Sequence, residues 1–264
     1  MKNILEQQLK LVERQESKFL NTPVNPFMKS TLTPAVEKIQ SMIPAKLKTA
    51  LDKAFFKGFQ FVFEKGSQII EKTYDKEKLE LDYDINNYAV DKRANKRHIK
   101  RIDKQSVQSK LINTSISAVE GGALGLLGIG LPDIPLFLSV ILKTIYEIAL
   151  SYGYGYSTEQ EKTYILLLIC GAITKDEEQK KFDEEIQKLG ATIDQNIVPE
   201  LKLEEQMKIT SEQFTEALLT AKFIQGFPII GVIGGIVNYN ILNKISSYAR
   251  IRFKKRYLIR KLAE

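Results

Sequence analysis

The sequence has one cysteine, one histidine and no tryptophan in 264 residues. With Cys170 alone, no intrachain disulfide framework can form, which suits a reducing compartment. A single histidine, His98, beside a single cysteine leaves too few ligands for a Cys/His zinc site and argues against Cys–His nucleophilic catalysis. Cys170 lies inside the apolar run YILLLICGAI and reads as a small buried hydrophobe. The chain also lacks G-x-x-x-x-G-K-[ST], H-E-x-x-H and G-x-S-x-G, and no strand precedes a G-x-G-x-x-G turn. The glycines at 125, 128 and 130 have the wrong spacing for a dinucleotide loop. No catalytic residue, metal or cofactor is therefore assigned. The start, MKNILEQQLKLVERQESKF, has no signal-peptide core and is expected to stay in the cytoplasm. Sustained period-two alternation is missing as well, so the fold is expected to be all-α.

What is present is concentrated in two glycine-rich apolar stretches. The first, residues 118 to 150, packs Gly121, Gly122, Gly125, Gly128 and Gly130 into ten residues, then Pro132, Asp133 and Pro135, then an apolar helix. The second, residues 223 to 243, is FIQGFPIIGVIGGIVNYNILN. Glycine costs roughly 1 kcal/mol against alanine inside a helix, so such clusters need a compensating reason. Gly121 and Gly125 share one helix face, and Gly231, Gly235 and Asn238 share another, so the two stretches are expected to pack closely. The alternative is that the first stretch is a loop and its glycines ease turns. Asp133 is expected to cap the helix that follows, with a buried ion or proton site as the functional alternative.

Apolar content of 44% and charged content of 27% are globular values. Residues 1–33 read as an amphipathic helix followed by a proline-bearing linker, and 34–264 as a single bundle-like domain. In the first helix Ile4, Leu5, Leu9, Val12 and Phe19 form an imperfect stripe, broken by Glu16. A helix from Pro44 to about Tyr74 carries Phe55, Phe56, Phe59, Phe61 and Phe63, a core pattern, with a membrane-dipping face as the sharper alternative. Glu71 to Asp84 is charged and reads as a solvated connection. Gly153 and Gly155 stop one apolar helix and Thr158 with Glu161 starts the next, making 132–173 a helical hairpin. Its faces, including Leu136, Val140, Ile145, Leu167 and Cys170, are expected to be buried. Thr174 with Glu177 and Thr210 with Gln213 read as further helix starts, and Gly190 as a stop. A glycine-rich apolar C-terminal helix runs toward Lys261.

Seven cations, Lys92, Arg93, Lys96, Arg97, Lys100, Arg101 and Lys104, fall in pairs every four residues. On one helix they form two columns, with Ile99 and Ile102 turned away, and suit an anionic membrane surface or an acidic partner. The bland reading is a solvated face. No aromatic residues interleave, which speaks against nucleic acid. Residues 244 to 261 hold eight Lys/Arg and no acid, as cytoplasmic retention or an interfacial helix would produce. Neither apolar stretch makes a clean span: Lys143 and Glu147 interrupt the first, while Pro228 and Asn238, Asn240 and Asn243 punctuate the second. A peripheral protein is the better expectation. Glu120, Asp133 and Glu147 sit in apolar sequence and would have raised pKa values if they converged in a dry pocket, as acid/base chemistry needs. Glu147 is expected to pair with Lys143 instead.

The segments GGALGLLGIGLPDIP, YGYGYSTEQEK and QGFPIIGVIGGIVNYN, in that order, resemble the EcsC family of bacterial proteins over roughly residues 40 to 260. The resemblance implies a cytoplasmic, membrane-linked setting, since the family takes its name from a protein encoded beside a bacterial ABC transporter. It carries over no catalytic residues. The function expected is a non-enzymatic accessory or interaction factor on the inner face of the cell membrane; a soluble adaptor or an enzyme using the buried acids is the alternative.

Overall fold

The computed structural model describes residues 2–21, 44–106, 133–224 and 234–264. Among these the chain is all-α, with no strand. Helix α1 is Lys2–Leu20; α2 is Ala45–Phe61, continued by a π-type turn Val62–Gly66 into the short α3, Ser67–Glu71; α4 is Lys76–Lys92. A helical stretch over 96–106 is α5. Then come α6 (Asp133–Ser151), α7 (Glu159–Ile173), α8 (Asp176–Asp194), α9 (Leu203–Ile224) and α10 (Gly234–Ala263).

Helix α10 is the axis. Helices α1, α6 and α7 lie against it, α7 also packs on α8 and α9, and α2 fills the space between α9 and α6. The phenylalanine run explains the last contact. Phe55, Phe59 and Phe63 recur every four residues and are buried, and Phe61, between them, points outward at 47% exposure. Phe55 stacks on Phe214 of α9 at 5.2 Å, and Phe137 of α6 meets the same ring edge-on at 6.0 Å. Burying each such ring contributes roughly 1.5–3 kcal/mol, enough to fix α2, α6 and α9 to one another.

The turn between the two apolar helices lies where the sequence places it. Gly153 has φ +74°, and Tyr154 N–H donates to Ala149 O at 3.0 Å while Gly153 N–H donates to Leu150 O at 2.9 Å, closing the end of α6. Thr158 Oγ1 then accepts from Glu161 N–H at 3.2 Å and opens α7. Both helices lie more against α10 than against each other. Ile145, Leu167 and Cys170 are buried and Val140 half-buried, but Leu136, two residues from each of the buried Ile134 and Leu138, is 44% exposed.

Four boundaries differ from the sequence reading. Glu71–Asp84 is not a connection: Asp75 accepts from Lys78 N–H at 2.9 Å and starts α4, whose buried side is built from Leu79, Tyr83 and Val90. Thr174 closes α7, donating to Cys170 O at 2.8 Å, rather than opening α8. Thr210 sits within α9, donating to Gln206 O, and Gly190 is inside α8. Ile134–Ser151 is long and apolar enough to cross a membrane, yet 67% of that window is buried within the fold.

Candidate functional site

The cationic stripe is not one helix. Helix α4 ends at Lys92, Arg93 to Asn95 form a break, and Asn95 Oδ1 accepts from His98 N–H at 2.9 Å to cap α5. The lone histidine secures the break. Its Nδ1 lies 3.0 Å from Ala89 O and 2.9 Å from Arg93 O, while Asn95 Nδ2 approaches Nε2 at 3.4 Å. Two carbonyls on one nitrogen and an amide donor on the other assign the Nδ1–H tautomer. Lys92 and Arg93 therefore belong to the end of α4, and Lys96, Arg97, Lys100, Arg101 and Lys104 to α5. All seven are exposed, and Ile99 and Ile102 are buried behind them. None forms an ion pair within 4.0 Å with another described residue. Asp103, on the inner side of α5, ties the helix down: it accepts from Lys254 Nζ at 2.6 Å and from Tyr152 O–H at 2.9 Å.

The cations of α10 behave in the opposite way. Arg252, Arg256 and Arg260 follow one another every four residues along one face, and that face is internal. Arg252 is 3% exposed; it pairs with Glu16 of α1 and, at 3.0 Å, with Asp183 of α8, which also accepts from Tyr248 O–H. Lys255 reaches the second oxygen of Glu16. Arg256 makes a two-point contact with Asp194, 2.7 and 3.1 Å, and a longer one with Glu161 at 3.3 Å. Its guanidinium lies 4.2 Å from the Tyr154 ring and 4.5 Å from Tyr164. Arg260 covers Tyr154 at 4.5 Å and donates to Tyr83 Oη at 2.9 Å. Lys261 pairs with Asp91 at 2.8 Å. A single buried charge is very costly, and the cost is offset here by opposite charges, multiple hydrogen bonds and aromatic faces. The space is tight: a Cβ on Gly190 would meet Tyr164 Cε2 at 3.0 Å and Arg256 Cδ at 3.3 Å, so a side chain there would press on the ladder.

The reading of 244–261 as a basic membrane flank is thereby corrected, because six of its eight cations are engaged inside the fold. Glu16, which seemed to spoil the α1 stripe, occupies a core-facing position of it (after Leu5, Leu9 and Val12) to meet Arg252. A charged residue at an apolar position of a helical stripe was the available signal.

The remaining candidates offer little chemistry. Burial lifts the Cys170 thiol to about 12, so it is no nucleophile at neutral pH. Tyr74 O–H donates to Tyr156 Oη at 2.8 Å and Tyr156 O–H to Glu71 Oε1 at 2.6 Å; burial lifts the Tyr74 hydroxyl to about 12 and Tyr156 higher. Both phenols stay protonated, and the three side chains form a clasp between α3 and the turn before α7. Glu147 is buried, and Lys143 donates to Thr73 O at 3.1 Å. Glu120, Gly121, Gly125 and Gly231 lie outside the described residues, as do the side chains of Asp133 and Asn238. Helix α6 does begin at Asp133, and Gly235 and Asn238 lie in the first turns of α10. The expected pairing of the glycine stretches and the convergence of Glu120, Asp133 and Glu147 therefore also lie outside them. Among the described residues no three His, Cys, Asp or Glu side chains are grouped to hold a metal ion.

Against known proteins, the model describing the EcsC protein family matches residues 6–258. Protein EcsC of Bacillus subtilis (strain 168) is 25% identical over 224 residues, covering 84% of this chain and 83% of that protein. Uncharacterized protein YdbA of the same organism is 24% identical over 161 residues, 57% of this chain and 56% of its own length. No solved structure matches the chain.

Proposed function

This chain belongs to the EcsC protein family, and we propose that it works as a non-enzymatic accessory factor, docking on the cytoplasmic face of the cell membrane through the α4–α5 cations. The observation that carries this is a division of labour among basic residues. Six of the eight cations of α10 are engaged within the fold, while Lys92, Arg93, Lys96, Arg97, Lys100, Arg101 and Lys104 are exposed and without ion pairs to other described residues. A protein with a net charge of +7 that sets seven such cations side by side over residues 92–104 is suited to an anionic surface. Buried Ile99 and Ile102 and the inward Asp103 keep α5 on the body, so docking needs no rearrangement. An ABC transporter as the membrane partner belongs to the same proposal.

The test is sedimentation with vesicles containing phosphatidylglycerol. Each basic residue close to such a surface contributes about 1 kcal/mol. Replacing Lys96, Arg97, Lys100 and Arg101 by Gln should abolish most binding, and raising salt should do the same to the native chain. Binding unchanged by both would refute the proposal.

A further inference from the structure

Helix α4 exposes a ridge that the cationic face does not account for. Leu81 is 59% exposed, Ile85 59% and Tyr88 63%, spaced i, i+4, i+7, with Lys92 next in the series and its ammonium 5.2 Å from the Tyr88 ring. The opposite side of α4 is already used, through Leu79, Tyr83 and Val90. Spacing of this kind is the seam of a two-helix contact. The charges beside it are arranged with a symmetry of their own. Glu77 lies at one end and Lys92 at the other, and both are exposed.

We propose that α4 is a self-association surface, pairing antiparallel with the α4 of a second copy of this chain about a two-fold axis between Asp84 and Ile85. That register sets Leu81 against the second copy's Tyr88 and Glu77 against its Lys92, and each contact occurs twice. An anionic bilayer fits the ridge less well, because Glu77, Glu80 and Asp84 are exposed on the same helix and would face the lipid charge. The seam is short, so the dimer is weak and concentration-dependent. This inference shares Lys92 with the membrane reading but does not need that reading.

Sedimentation velocity on the full chain tests it. The native protein should show a monomer–dimer equilibrium in the micromolar range. Leu81→Glu with Ile85→Glu should be monomeric while keeping its helical circular dichroism, since both side chains are exposed. Glu77→Lys or Lys92→Glu alone should each weaken the dimer about tenfold, because each turns two attractive pairs repulsive. The two together should restore it. Within one chain these residues are about 22 Å apart along the helix, so restoration has to come from the second copy. A native chain monomeric throughout that range, or a charge swap that fails to restore, would overturn the proposal. So would a monomeric native chain that pellets with phosphatidylglycerol vesicles and loses this with Leu81→Glu and Ile85→Glu, which would assign the ridge to a bilayer.

Discussion

Arg256 serves two acids unequally. Both contacts are two-point, but that to Asp194 is shorter, 2.7 and 3.1 Å against 3.3 and 3.4 Å for Glu161. Burial consequently raises the Glu161 carboxyl above the ordinary carboxylate range, with the Arg256 guanidinium working against that rise. A folded-state pKa above the unfolded value means that the native chain holds this proton more tightly. Stability from this group is then greatest below the unfolded value and falls as pH rises through the folded one. Glu161→Gln imitates the protonated side chain, so its stability relative to the native protein should improve between about pH 4 and pH 7. Urea midpoints at the two pH values check this; a variant that loses ground toward pH 7 would contradict it. Nothing in the local sequence marked Glu161 for this role. It looked like a capping residue, and its backbone N–H does serve the cap while its side chain turns to α10. Cys170, by contrast, was legible as core, because eight apolar neighbours left no polar alternative.

At the scale of the element, the stop at Gly153 combines two constraints. Its φ of +74° favours glycine, and an added Cβ would overlap the Tyr83 ring, whose hydroxyl receives Arg260. Nothing lies within 4 Å of a Cβ at Gly155. Gly153→Ala should therefore cost about 2 kcal/mol or more, and Gly155→Ala well under 1, read as shifts in thermal midpoint. Equal shifts would show that the Tyr83 contact carries no weight. The turn could be read from glycine and threonine chemistry because that chemistry is local. Helix α4 could not, since its buried side mixes Leu79 and Val90 with Tyr83, Asn86 and Asn87 and leaves almost no apolar periodicity. The break within the cationic stripe was hidden for a related reason: four-residue spacing of charges continues across Arg93–Asn95, although the Asn95 cap restarts the helix. The capping patterns at Thr174 and Thr210 were false because threonine also bonds back to a carbonyl one turn earlier, as both do here.

Across the whole molecule, α1 is held to α10 by Leu5, Val12 and the carboxylate of Glu16. Removing one member of a buried ion pair leaves the other without compensation, a loss of about 3–5 kcal/mol. Glu16→Ala leaves Arg252 with Asp183 and Lys255 without Glu16, so the loss should lie near the lower end. It should also free α1: limited proteolysis would cut within the first 21 residues before the body unfolds. Retention of α1 with unchanged stability would show that its apolar contacts suffice. The all-α architecture was legible from periodicity, whereas the role of α10 was not, because charge-rich sequence is assigned to water by pattern and the acids that neutralise Arg252, Lys255 and Arg256 come from 62 to 239 residues earlier.

That separation bears on how the protein is made. Glu16, Glu161, Asp183 and Asp194 all leave the ribosome before Arg252 and Arg256, so a nascent chain lacking α10 would have to bury carboxylates with no counter-charge. Burial has to wait for α10 to emerge. Until then the earlier helices must remain loosely associated and hydrated at their charged positions, within reach of chaperones and proteases. Synthesis interrupted a few dozen residues early should yield a chain that is degraded rather than a smaller folded protein.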